Sequence, residues 1–410
     1  VILKHGFIFF ICLFILNNYS FGEEPLTMDD CISLARKNNL KLIQARIAIE
    51  QARAGVMDAH SSYYPSADLS SGYRYGDEAN YSTSIGIKYS IYKGGYVRAG
   101  TKLAKTRVKI VEENYRLEEN EVVLAVKEAF FKILQKEEQI TRVRNVLERR
   151  REDHVLIKLR YDTGRESSPA VKEAEVNIVQ AEYDKMLAEN ELSLAKMELN
   201  LLLNRPRREE ILIMYDDEDI EFPSLEKIIE EAKIERPEIR AERANRGVLE
   251  ARVTQAKSTY FPTLSLSSSY GWQGNEFLDQ HSDWSAGINL SLPIFNGFSR
   301  KAQVKEATLS LKDQQVKIQE LEQKIEEEIE HAYSNLKLTE KNREVSTKTL
   351  EAAREMYDLT KLQYEQGLTS YFFLQQKESA LTRVEYNYIN ALFNHSIARA
   401  GLEKALGRNR

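Results

Sequence analysis

Two stretches of this chain alternate apolar and polar residues, and each lies between long stretches with a helical repeat. From Tyr81 to Ile91 the odd positions are Tyr81, Thr83, Ile85, Ile87, Tyr89 and Ile91, and the even ones are Ser82, Ser84, Gly86, Lys88 and Ser90. This period-two pattern puts the two sets on opposite faces of a strand. Ala67, Leu69, Tyr73 and Tyr75 oppose Asp68, Ser70, Gly72 and Arg74 in the same way, and residues 76–80 supply the turn, so 67–92 reads as a β-hairpin. A second hairpin at 263–292 repeats the design. There Leu264, Leu266, Tyr270 and Trp272, then Trp284, Ala286, Ile288, Leu290 and Leu292, alternate with Ser, Thr, Gly and Asn.

Between the hairpins the period changes. Met28 to about Ser62 and Leu225 to about Thr259 read as helices, each closed by a Tyr-Tyr-Pro or Tyr-Phe-Pro whose proline biases the preceding residue toward extended backbone. Thr101 to Thr163 and Ser299 to Gln366 contain neither Gly nor Pro and predict helices about 100 Å long. In the second of these, Val304, Ala307, Leu311, Ile318, Leu321, Ile325, Ile329, Ala332 and Leu336 form a narrow coiled-coil seam. Gly164 and Gly367 interrupt the runs, and return helices follow from about Pro169 to Leu203 and from about Ser370 to Leu406.

The chain therefore repeats itself. Tyr63-Tyr64-Pro65 and Tyr260-Phe261-Pro262 stand 197 residues apart, whereas Tyr161 and Tyr364, Gly94 and Gly297, and Gly164 and Gly367 stand 203 apart. The six extra residues fall in the second hairpin, as expected when one unit is duplicated and a loop tip drifts in length. The expected organisation is a signal peptide at 1–22, a first repeat at 23–206, an acidic linker at 207–224 and a second repeat at 225–410. The leader reading rests on Lys4, the apolar run from Phe7 to Leu16, and small Ser20 and Gly22 before Glu23-Glu24.

Strands of about ten residues, apolar on one face and aromatic near their ends, fit the wall of a transmembrane barrel. A half-buried sheet in a soluble domain fits the hairpins alone equally well. Four strands cannot close a membrane barrel, whose smallest form has about eight, and open edges in lipid cost several kcal/mol per unpaired backbone group. A membrane barrel would have to be shared between copies. Tyr89, Tyr92, Tyr270, Trp272 and Trp284 are the candidate membrane-interface aromatics.

Charge and chemistry narrow the remaining classes. With 58 basic and 63 acidic residues there is no basic excess to attract nucleic acid. Cys12 lies in the expected leader, leaving Cys31 without a disulfide partner. The six histidines show no metal-ligand spacing, and neither phosphate-binding loops nor a nucleophile elbow occur. No cofactor, metal or catalytic role is expected.

The Tyr-Phe-Pro before a serine-rich strand, Leu292-Pro293-Ile294-Phe295-Asn296-Gly297 after its partner, Leu199-Asn200-Leu201-Leu202-Leu203 closing a helix, and Tyr364-x-x-Gly367 at a helical turn together resemble the TolC-like outer-membrane efflux proteins. The resemblance covers nearly all of the expected mature chain. It implies a mainly α fold with a small β portion: long antiparallel coiled-coil helices forming an α-barrel, and four antiparallel strands per chain in a trimeric, twelve-stranded outer-membrane β-barrel. It further implies a homotrimer in outer-membrane lipid of a Gram-negative-type bacterium, with a large periplasmic portion. The implied partners are a periplasmic adaptor protein and a proton-driven or ATP-driven inner-membrane pump, for efflux or type I secretion.

The resemblance also assigns gate and adaptor-contact roles to the tips, Tyr161, Asp162, Gly164 and Arg165 in one repeat and Tyr364, Glu365, Gly367 and Thr369 in the other. Tyr364 matches the family's gate tyrosine. The family's gate arginine and acidic residue are replaced here by Thr369 and Ala170. Arg165 with Glu365 or Asp162 offers a substitute pair by residue type. The competing reading is an exported coiled-coil scaffold of the cell envelope without a pore.

Overall fold

The computed structural model describes residues 25–75, 79–215, 222–274 and 281–407. The expected leader and the acidic run Asp216-Asp217-Glu218-Asp219 lie outside the described residues. Each repeat is built as two shorter helices, a hairpin, a long helix and a return helix. The first comprises α1 (Met28–Asn38), α2 (Leu40–Ser61), β1 (Ser66–Tyr75), β2 (Ala79–Lys93), α3 (Tyr96–Asp162) and α4 (Ser168–Leu202). The second comprises α5 (Leu225–Glu235), α6 (Pro237–Ser258), β3 (Thr263–Gly274), β4 (His281–Ser291), α7 (Ser299–Glu365) and α8 (Tyr371–Ala405). The long helices α3 and α7 have 67 residues each, about 100 Å of rod.

The single helix expected before each hairpin is in fact two. Asn39, with φ −60° and ψ 130°, breaks the first, and its side chain accepts from the Lys41 amide at 3.0 Å to start α2. The same side chain donates to the Leu202 carbonyl at 2.8 Å, so the break also fastens α4. In the second repeat Arg236 takes φ −60° and ψ 132° because the ring of Pro237 excludes helical backbone before it. Pro237 then occupies the first turn of α6, where its missing N–H costs nothing. The long helix of the first repeat starts at Tyr96, earlier than expected and through Gly100, directly after the left-handed Gly95 (φ 85°).

The strands form one antiparallel sheet in the order β1-β2-β3-β4, so the two repeats meet at β2 and β3 while β1 and β4 are left as edges. Its polar face carries cross-strand rows such as Ser66, Lys88 and Ser267, and Ser70, Ser84 and Gly271. Ala67 lies on the opposite, apolar face, paired with Ile87. Near the end of β2 the register shifts between Ser90 and Tyr92, leaving Ile91 bulged. Tyr92, opposite Leu264, therefore carries the apolar face onward in place of the expected Ile91.

The helices bury their seams in separate clusters along the rod. One gathers Cys31, Leu42, Val126, Phe130, Ile133, Leu199 and Ile211 around α1 to α4, and its counterpart gathers Ile228, Ile239, Ile325, Ile329 and Leu406 around α5 to α8. Cys31 is a free, fully buried thiol pushed up to about 12 by burial, which leaves it inert near neutral pH. No helix among the described residues is long and apolar enough to cross a membrane.

Candidate functional site

The tips are the two helix-to-helix turns, α3 into α4 and α7 into α8. Both use the same local chemistry. Gly164 (φ 73°) and Gly367 (φ 79°) adopt the left-handed backbone that ends a helix without a Cβ penalty. The Gly164 amide donates to the Tyr161 carbonyl at 2.9 Å and the Arg165 amide to the Arg160 carbonyl at 2.8 Å. At the second tip Gly367 donates to Tyr364 at 2.9 Å and Leu368 to Gln363 at 2.9 Å. This pair of bonds satisfies carbonyls that a helix end otherwise leaves open.

The side chains at the two tips differ. Tyr364 is fully buried, and its hydroxyl donates to Glu166 Oε2 at 2.9 Å. The Arg160 guanidinium lies 4.5 Å from the Tyr364 ring centroid and donates to the Tyr364 carbonyl. Tyr371 packs beside Tyr364 with ring centroids 6.4 Å apart, and its hydroxyl accepts from Asn177 Nδ2 at 3.3 Å. Burial, then the bond to Glu166, pushes the Tyr364 phenol above its ordinary range, so it stays a neutral donor. Ile157, Ala170, Ala174, Tyr357 and Leu374 complete the packing around these rings.

Of the residues singled out from sequence, Tyr364 and Gly367 are thus brought together with the first tip. Tyr161 is 44% exposed, and Asp162, Arg165 and Glu365 are exposed, with Thr369 half-buried. Among the described residues of one chain, no ion pair joins Arg165 to Asp162 or Glu365. The Arg165 backbone serves the turn, and its side chain is left exposed. Arg160, Glu166, Tyr371 and Asn177 were not singled out. Glu166 lies two residues beyond Gly164, but nothing in the sequence marks a pairing across 198 residues.

On the sheet, Tyr89 opposes Leu266 and Tyr92 opposes Leu264 near the helical end. Tyr270 opposes Ile85 and Trp284, and Trp272 opposes Thr83 and Ser282, toward the turns. Between these two aromatic levels lies a row without a ring, Ala67, Ile87, Ser268 and Ala286. The stretch from Leu264 to Gly274 rises about 34 Å along the strand and about 25 Å along a barrel axis at the usual tilt. Trp284 is 73% exposed and Ile288 71% exposed, so one chain leaves this face uncovered.

A family model described as outer membrane efflux protein matches residues 31–205 and 228–408, one segment in each repeat. The chain belongs to the outer membrane efflux protein family. Membership sets aside the scaffold reading and places the chain in the outer membrane as a channel of export. The probable outer membrane lipoprotein SilC of Salmonella typhimurium is 22% identical over 398 residues, covering 92% of this chain and 84% of that protein. The Campylobacter jejuni CmeC outer membrane channel has the same fold, with a TM-score of 0.80 at 18% identity over 93% of this chain and 85% of that one. The open state of the Neisseria gonorrhoeae MtrE outer membrane channel gives 0.79 at 21% identity over 93% and 89%.

Proposed function

We propose that three copies of this chain form the exit duct of a tripartite export system, a passive conduit through the outer membrane and periplasm rather than an enzyme. The carrying observation is a four-stranded sheet, open at both edges, set on paired helices about 100 Å long. The number three is what the family resemblance implies.

A glycine pair supports closure by further copies. Gly94 (φ 58°) turns so close to the next repeat that a Cβ would meet the Ser258 carbonyl oxygen at 2.5 Å and Phe261 Cβ at 2.8 Å. Its counterpart Gly297 (φ 62°) has nothing within 4 Å. The counterparts of Ser258 and Phe261, at the repeat spacing, are Ser61 and Tyr64, and Tyr64 is 70% exposed. Half of each junction is thus present at opposite ends of one chain, as a closed ring requires. Carrying the Lys88–Ser267 pairing forward by one repeat sets Ser291 of one copy opposite Ser70 of the next.

The aromatic levels are read as girdles at the two membrane interfaces. At the tips, Leu368 (73% exposed) and Phe372 (70% exposed) offer an apolar surface for a periplasmic adaptor, with an inner-membrane pump supplying the energy. Purified from outer membranes, the protein is expected to migrate as a heat-modifiable trimer and to conduct in planar bilayers. The Ser291→Cys, Ser70→Cys double variant is expected to form inter-chain disulfides, whereas Ser291→Cys with Asp68→Cys is not. A soluble, non-conducting oligomer would overturn the reading.

A further inference from the structure

Two helical turns above Tyr364, the coils α3/α4 and α7/α8 share a buried charge cluster that conduction itself does not require. Arg149 of α3 donates to both carboxylate oxygens of Glu385 on α8, at 3.2 and 2.9 Å. Glu378, nearer the tip on α8, lies 3.9 Å from Arg149 and 3.7 Å from Arg150, and accepts from Thr382 Oγ1 at 3.0 Å. Both glutamates are 4% exposed. Their charges are matched by the arginines, which makes this part of the cluster a fixed connector between the coils.

Asp153, one turn along α3 from Arg149, is placed differently. It is 7% exposed, and its Oδ1 accepts no hydrogen bond. Its cation, Lys361 of α7, stands 4.0 Å away and lies closer, at 3.2 Å, to the more exposed Glu152. Tyr357 of α7 is also buried, and its hydroxyl has no partner. A small cavity bounded by Arg150, Asp153, Asn177, Tyr371 and Glu378 separates α3, α4 and α8 here. The charged and titratable groups facing Asp153 are therefore Arg149, Arg150 and Glu152 on its own helix, Lys361 and Tyr357 on α7, and Glu378, Glu385 and Tyr371 on α8. The lining residues from α4, Ala174 and Asn177, carry no charge.

We propose that Asp153 is a protonation-controlled clasp: when it is neutral the two coils dock tightly above the tip, and when it is ionised its weakly paired carboxylate, facing Glu378, loosens them. The proposal rests on the duct reading for its consequence, control of the opening, but the docking itself does not depend on conduction. Burial pushes the Asp153 carboxyl up to about 6, with Glu378 and Glu152 adding to the shift and Lys361 and Arg149 opposing it. The sign follows from linkage. A carboxyl with a raised value in the docked state favours docking fully below its ordinary 3.8, loses that advantage as pH rises to about 6, and changes no further above that.

The test is single-channel recording of the full protein from pH 4 to 8, with hydrogen exchange at the ends of α3 and α7 at matched intrinsic rates. Wild type is expected to gain open probability and exchange between pH 4 and about 6, by about tenfold or more. Asp153→Asn is expected to stay in the docked, acid-like state throughout. Lys361→Met moves the upper limit of the window to higher pH and Glu378→Gln moves it lower, which keeps the test sound if Asp153→Asn does not assemble. Conduction and exchange indifferent to pH in wild type, or an unchanged response in Asp153→Asn or in both flanking variants, overturns the clasp. Absence of conduction at every pH, with exchange still following the window, overturns the duct reading and leaves the clasp standing.

Discussion

Tyr161 and Tyr364 hold equivalent positions in the two repeats, yet Tyr161 is 44% exposed and Tyr364 is fully buried. Tyr364 of the second tip leans on Arg160 and Glu166 of the first, whereas among the described residues of one chain the Tyr161 side chain has no corresponding partners. Advancing these contacts by one repeat brings Tyr161 of the next copy against Gln363 and Thr369, which replace Arg160 and Glu166. Duplication preserved the tyrosine and the glycine and changed what surrounds them. The junction inside a chain is charged, and the junction expected between chains is neutral.

The largest expected effect comes from removing the ring. Tyr364→Ala empties a fully buried site and should cost about 3–5 kcal/mol, whereas Tyr161→Ala should change the separated chain by no more than about 0.5 kcal/mol. Equal losses in urea unfolding would show that the tips do not differ as described. Next are the glycines. Valine at either position forces left-handed backbone at about 1–2 kcal/mol, and at Gly367 the strained turn lies in ordinary contact, 3.6 Å, with Arg160, the residue that covers Tyr364. Gly367→Val should therefore reduce drug resistance in a complemented deletion strain more than Gly164→Val does, at equal outer-membrane abundance.

A subtler change is Tyr364→Phe, which removes only the bond to Glu166 and should cost about 1.5 kcal/mol while raising conductance. If conductance falls instead, the bond does not hold the tip shut. The smallest effect on stability is expected from Gln363→Arg, which gives the next copy's Tyr161 the counterpart of Arg160. A gain of about 0.5–1 kcal/mol in trimer dissociation with lower conductance would make the neutral junction resemble the charged one. No change in either would argue against the inferred contact.

The strands and long helices could be read from sequence because their periods are local: alternating Ile85 and Ile87 with Gly86 and Lys88, and the seam through Ile325 and Ile329, need no knowledge of distant residues. The single helix expected over 225–259 passed over a signal that is just as local, the Pro237 that breaks it at Arg236. The bulge at Ile91 has no such signal, because it depends on which residue of β3 each residue of β2 meets. Glu166 and Asp153 were hidden for the same reason. Neither is distinguished from the other carboxylates until coil packing brings Tyr364 to one and Lys361 to the other.

By itself the sequence determined the duplicated unit, the amphipathic hairpins, the glycines at the tips and the condition that a membrane barrel built from four strands per chain be shared between copies, since periodicity and unpaired edges follow from backbone geometry. Only the tertiary structure decided which tyrosine is buried, which arginine covers it and which aspartate lacks a close partner. Those depend on the relative register of helices about 200 residues apart in the chain, where a shift of one residue rotates a side chain about 100° around its helix.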